Sequence, residues 1–175
     1  MVREQLPISY FQAGIYSEQT SIRARLSIYA DSCIQETADT YILTSPVGPD
    51  TPINTIGDVK ANLGKFIRAT LERPDLTLPG HVVSAVIGPT STGGLLKDWS
   101  KATGKSAIYL QVSAEAYEQL WGGFGVVEGA NLRYFEEYGE GSWGSSEDII
   151  LTAQDLGLGE ENFVGVEEFV RSAQS

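Results

Sequence analysis

The side chains of this chain that could move protons are phenols, carboxylates and one imidazole. Six are candidate proton donors or acceptors: Tyr16, Tyr109, Tyr134, Tyr138, Glu128 and His81. Tyr10, Gln12, Trp121, Phe124 and Trp143 add the aromatic and amide surface typical of an apolar pocket with a few polar handles. The aromatics exceed what helical stripes require, although most of them still belong in a core. His81 follows Pro79-Gly80 at a strand start, where a hydrogen-bonded structural role is the plainer reading. No Ser-His-Asp arrangement can be assembled around it, so nucleophilic hydrolysis has little support. One histidine, one cysteine and no paired-carboxylate helix motif leave no recognisable metal-ligand spacing.

Two glycine-rich stretches invite a nucleotide reading and fail it. Gly88-Pro89-Thr90-Ser91-Thr92-Gly93-Gly94 has the glycine spacing of a phosphate-binding loop between strand and helix. Gly94 and Leu95, however, stand where the phosphate-gripping lysine and magnesium-binding hydroxyl belong, so helix capping is the better account. Gly122-Gly123-Phe124-Gly125 follows a helix rather than a strand and reads as a hinge. A dinucleotide unit needs a strand, a glycine turn and a helix, with an acid about 20 residues on. Nothing ahead of the strand-like Ile8-Ser9-Tyr10-Phe11 offers it, so no Rossmann-bound cofactor is expected.

Charge narrows the partners. The formal net charge is −11, and residues 128–175 hold eleven acids against only Arg133 and Arg171. Such a field repels phosphate backbones and anionic membranes. The bases Arg23, Arg25, Lys60, Lys65 and Arg68 lack the interleaved aromatics of a base-stacking surface. No apolar run reaches the ~20 residues of a membrane span, and the polar, charged start is unlike a signal peptide. The lone Cys33 excludes an internal disulfide and fits a reducing compartment. The expectation is a cytoplasmic protein acting on a small molecule, without nucleic acid or membrane.

The elements that must position these groups alternate. The chain's 175 residues at 42% hydrophobic content suit one domain with its own core. A short helix over Val2–Gln5 breaks at Leu6-Pro7; a strand over Ile8–Tyr16 ends near Gly14, and 17–38 reads as a partly helical connector. Tyr41–Thr44 is a strand, halted by a loop over 45–52 stiffened by Pro46, Pro49 and Pro52. A helix over 61–71 presents Leu63, Phe66, Ile67 and Leu71 on one face. A loop over 76–80, a strand over 81–87, a loop over 88–94 and a helix over 95–103 burying Leu95, Leu96 and Trp99 follow. After a strand over 107–112, Ser113 caps a helix from Ala114 towards Trp121, a second helix covers Val126–Tyr138, and a last amphipathic turn covers Val166–Val170. The class is α/β, in a single domain over 1–175.

In order, Ile56-Gly57-Asp58-Val59, Asn62-Leu63-Gly64-Lys65-Phe66, Ala102-Thr103-Gly104-Lys105, Tyr109-Leu110-Gln111-Val112-Ser113, Glu115-Ala116-Tyr117-Glu118, Tyr134-Phe135-Glu136-Glu137-Tyr138-Gly139 and Thr152-Ala153-Gln154-Asp155-Leu156-Gly157 resemble NmrA-like proteins. These are atypical short-chain dehydrogenases related to the isoflavone-reductase group. The resemblance covers most of the chain and implies an incomplete Rossmann-like domain, its substrate-binding portion without the N-terminal nucleotide-binding βαβ units. Family members are about twice this length, with a lysine or tyrosine–lysine pair before the Ile8 strand and Arg-Pro-Gly where this chain has Gln12-Ala13-Gly14. Asn62 stands where the family usually has an acid. Asp58 matches, and its implied role is to fix the next helix.

The expected function is a cofactor-independent cyclase, isomerase or dehydratase acting on an apolar secondary metabolite by conformer selection and acid–base groups. The alternatives are a fragment of an NADPH-dependent reductase or a nucleotide-sensing regulator, or a binding module without chemistry. A parallel sheet without its first strands has an unpaired apolar edge, so a homodimer covering that edge is expected.

Overall fold

The computed structural model describes residues 9–16, 34–37, 40–143 and 150–173. The expected helix at Val2–Gln5, Cys33 and most of the 17–38 connector lie outside these, as do the side chains of Tyr16 and Trp143. The fold is mixed α/β with parallel strand pairs, and the described residues form three three-stranded sheets.

The first sheet orders β1 (Tyr10–Ala13), β6 (Val82–Ala85) and β9 (Ile150–Leu151), all parallel, with Phe11 opposite Val83 and Val83 opposite Leu151. The second sets β2 (Ile15–Tyr16) parallel to β5 (Pro52–Gly57), which pairs antiparallel with β7 (Gly88–Ser91). The third joins β3 (Ile34–Thr37) antiparallel to β4 (Thr40–Ser45), itself parallel to β8 (Ala107–Gln111).

The single strand expected over 8–16 is two. Gly14 is the switch: a Cβ there would lie 2.9 Å from the Asn54 carbonyl oxygen, so only glycine lets the chain leave β6 and pass onto β5. Residues 34–37, expected within a partly helical connector, are a strand because they pair with β4. The 88–94 stretch, expected as a loop, gives β7 before its helix, since the antiparallel register with β5 outweighs its glycine and proline. Part of the 76–80 loop is taken by the one-turn α2 (Pro74–Thr77), with proline in its first turn. The strand β9 was not foreseen; two residues are too few for a pattern. The glycine hinge at 122–125 shrinks to Gly122, with φ +58°, between α4 (Ala114–Trp121) and α5 (Gly123–Tyr138). Gly125 is needed for packing instead: its Cβ would lie 2.7 Å from the Tyr117 carbonyl oxygen.

Two cores result. Ile56, Phe66, Ala69, Val83, Ala85, Leu151 and Leu156 join α1 (Val59–Glu72) to the first sheet. Tyr41, Leu96, Trp99, Val166 and Val170 join α3 (Thr92–Thr103) and α6 (Val166–Ser172) to the third. Asp58 caps α1 as implied, its Oδ1 accepting from the Lys60 and Ala61 amides at 2.8 and 3.1 Å. The apolar face expected of α1 divides. Phe66 is buried, but Ile67 is 44% and Leu71 75% exposed, because Asn62 takes the inward position instead.

Asn62 is fully buried and ties the C-terminal segment to α1. Its Nδ2 donates to the carbonyls of Ile56 and Val164 at 2.8 Å each, and its Oδ1 accepts from the Val164 amide at 3.0 Å. The Asp58 amide adds a bond to Val164 O at 3.1 Å. An acid at position 62 could accept from Val164 but not donate to two carbonyls, which is why this chain carries an amide here. Asn62→Asp is expected to lower unfolding stability by about 3 kcal/mol, the cost of stranding buried acceptors beside a buried charge. Urea denaturation checks this; an unchanged midpoint would refute the clamp.

Candidate functional site

Parallel strands carry ligands outside their carboxyl ends, and such a cleft, of about 680 Å³, opens where β6 and β9 end. Ser84, Val86 and Ile87 form one wall. Asn54 of β5 and its register partner Pro89 form another. The third is the segment after β9, with Thr152, Gln154, Glu160 and Phe163. Its polar groups are thus hydroxyls, amides and one carboxylate.

The loop after β9 is shaped by its own sequence. The Asp155 carboxylate accepts from the Thr152 amide at 2.8 Å and its hydroxyl at 2.7 Å, which holds the carboxyl below the usual aspartate range. Leu156 anchors in the core and Gly157 turns with φ +74°. This tight turn places Ala153 and Gln154 along the cleft. Phe163 is fixed by stacking on Phe66, centroids 5.0 Å apart.

The candidate residues named from sequence do not converge here. Gln12 comes nearest, as the register partner of Ser84 on the same sheet face. His81 sits at the opposite end of β6, its Nδ1 bonded to the Leu76 carbonyl. Tyr10 is exposed beside it, its amide donating to His81 O at 2.9 Å. Tyr109 donates to Val47 O at 3.0 Å and lies 3.0 Å from Thr92 Oγ1, fastening the 47–51 turn onto α3. Trp121 donates from Nε1 to Thr44 Oγ1 at 3.2 Å and packs beside Tyr117. Tyr134 and Tyr138 meet with tilted rings, centroids 4.7 Å apart, on the exposed face of α5, while Phe124 and Glu128 are half-buried in the same helix. The α4–α5 aromatics gather; the acid–base set does not.

The phosphate-loop look-alike is also resolved. The Thr92 and Gly93 amides donate to Thr51 O at 3.1 Å and Pro49 O at 2.8 Å, and the Gly94 amide donates to Ser91 Oγ at 3.0 Å. The first amides of α3 are thus consumed by protein acceptors. Of the residues missed from sequence, Asn54, Ser84, Thr152, Gln154 and Glu160, only Ser84, Thr152 and Gln154 carry a usable signal, a place beside or just past a strand end. Among the described residues no three His, Cys, Asp or Glu side chains form a metal-binding group, and no helix is long and apolar enough to cross a membrane.

The NmrA-like family model matches residues 2–169. No curated protein matches the chain. Among solved structures, NmrA, a negative transcriptional regulator, in complex with NADP is similar at 18% identity and TM-score 0.63. That match covers 97% of this chain and 53% of that one. The same regulator with NAD matches at 18% identity and TM-score 0.62, and a mutant NmrA at 19% and 0.62, with the same coverages. The chain therefore spans about half the length of these structures. The expectation of a cofactor-independent cyclase, isomerase or dehydratase is corrected by this family match, since two of the matching structures are of a transcriptional regulator in complex with NAD or NADP.

Glu128 has a structural consequence that can be measured. Burial raises its carboxyl above the usual glutamate range, against a hydrogen bond from the Asn131 side chain. The folded state then holds this proton more tightly than the unfolded one. Stability falls as pH rises from the ordinary glutamate value through the raised one. Glu128→Gln is expected to melt higher than the parent at pH 7, the gain vanishing below about pH 4. Calorimetric melting at both pH values checks it; a lower melting point at pH 7 would show that the ionised carboxylate is needed.

Proposed function

The chain belongs to the NmrA-like family, and from that premise we propose that it forms the ligand-facing part of a nucleotide-sensing regulator working in the cytoplasm. In this reading it is the C-terminal, substrate-side portion of a Rossmann-like sheet, and a dinucleotide lies across the carboxyl ends of its strands. The observation that carries the proposal is the position of the 680 Å³ cleft at the ends of β6 and β9. Support also comes from the fold likeness to a regulator holding NAD or NADP.

The lining favours recognition over proton transfer. Asn54, Ser84, Thr152 and Gln154 offer donors and acceptors that do not titrate near neutrality, set against the apolar Val86, Ile87, Leu158 and Phe163. Among the described residues of the cleft, Glu160 is the one ionisable side chain. Gln12, beside Ser84, extends the same polar strip towards β1.

Calorimetric titration of the protein with NAD and NADP tests the reading. Micromolar binding of at least one is expected. Gln154→Ala and Asn54→Ala are each expected to weaken it about fivefold, the loss of one hydrogen bond. No heat with either nucleotide overturns the proposal, and binding indifferent to both substitutions removes this cleft from it.

A further inference from the structure

We infer that Lys65, on α1 and outside the cleft lining, is a positioning residue that fixes the cleft's third wall and so sets how tightly a ligand is held. The pinning stands on contacts within the chain; only the ligand, a nicotinamide dinucleotide, rests on the nucleotide reading. Asn62, Lys65 and Phe66 share one face of α1 and meet three consecutive residues of the segment after β9. Asn62 holds both backbone groups of Val164. Phe66 stacks on Phe163, the two rings 12° from parallel. The Lys65 ammonium donates to the Asn162 carbonyl and lies 5.9 Å from the centroid of the Phe163 ring.

Of the three, Lys65 is the one that reaches the turn carrying Glu160. Residues Glu160–Asn162 form a single 3-10 turn, in which the Asn162 amide donates to Gly159 O and the Phe163 amide to Glu160 O, each at 3.1 Å. The Asn162 side-chain amide adds a second bond to Gly159 O at 3.2 Å. The turn is thus braced within itself and shifts as one piece. Before it, the Leu158 amide is tied to Ala153 O at 2.9 Å; after it, Val164 is tied to Asn62. Between these fixed points, and among the described residues, the hydrogen bond that joins the turn to another element comes from Lys65. Its ammonium supplies the donor that a carbonyl at the end of a helical turn lacks. Loss of that bond frees Glu160 and the Phe163 ring together, and both border the cleft.

Hydrogen exchange of the ligand-free protein, followed amide by amide, tests the pinning. Lys65→Met keeps an apolar stem beside Phe163 and removes the donor. It is expected to speed exchange at Asn162 and Phe163 at least ~fivefold while Leu158 and Val164 stay as in the parent. Lys65→Arg, which retains a donor, is expected to exchange like the parent. Calorimetric titration tests the consequence. Whichever of NAD and NADP binds the parent is expected to bind Lys65→Met ~fivefold more weakly, and Lys65→Arg and Lys60→Met as it binds the parent. Lys60→Met removes the same charge from the exposed first turn of α1, which separates positioning from the field of a lost cation. Unchanged exchange at Asn162 and Phe163 overturns the inference, as does exchange that quickens across the whole chain, the mark of a merely stabilising lysine. An affinity untouched by Lys65→Met, or lowered equally by Lys60→Met, overturns it as well. A parent that binds neither nucleotide refutes the nucleotide reading and leaves the pinning to be decided by exchange.

Discussion

The bonds between the buried Asn62 side chain and the Val164 backbone tie the segment after β9 to the start of α1. The two cores are built on different sheets, and the segment after β9 is what belongs to both. Leu156 and Phe163 pack into the first, while Val166 and Val170 pack into the second. Between them the backbone turns at Val164, whose amide and carbonyl are both taken by Asn62, with Asp58 as a second donor. Gly57, at φ +68°, must be glycine there, because a Cβ would run into the Val164 carbonyl and Ile87. The β5–α1 junction is thus shaped around a residue more than a hundred positions later. The third wall of the cleft hangs from the same junction.

Hydroxyls and aromatics that look like chemistry in the sequence are spent on fastening. Tyr109 and Thr92 bind the 47–51 turn, and that turn in turn occupies the start of α3. Gly93 admits Pro49 so closely that a Cβ would lie 2.9 Å from it, which explains the glycine without any phosphate. His81 closes the loop after α2. A phenol or imidazole whose polar atom already meets a backbone acceptor is oriented by that bond and is not aimed at a ligand. The strand-end cleft is different: its polar side chains border open space, as recognition requires.

Charge divides the surface in the same sense as the fold. The acids gather late in the chain, where Lys101 and Arg171 both lean on Glu167, which holds that carboxyl below the usual range. Asp98, half-buried near them, is pushed up by burial and by Glu167. These partly exposed pairs add little to stability. The margin at β1 and α1 is by contrast nearly balanced in charge, with Phe11, Ile67 and Leu71 partly exposed.

From the sequence alone came the α/β class, the family, the Asp58 and Ser113 caps and the spans of α1, α3, α4 and β8 to within a few residues. Each depends on neighbours within one or two turns. The strands β3, β7 and β9 needed partners distant in sequence, and a two-residue strand has no periodicity to read. That Asn62 faces inward while Ile67 and Leu71 face out was decided by Val164, a contact invisible to any helical pattern. The site followed the same division. Side-chain chemistry pointed to tyrosines and a histidine, but which groups border open space depends on where parallel strands end together, and only the tertiary structure brings Asn54, Ser84 and Gln154 around one cleft.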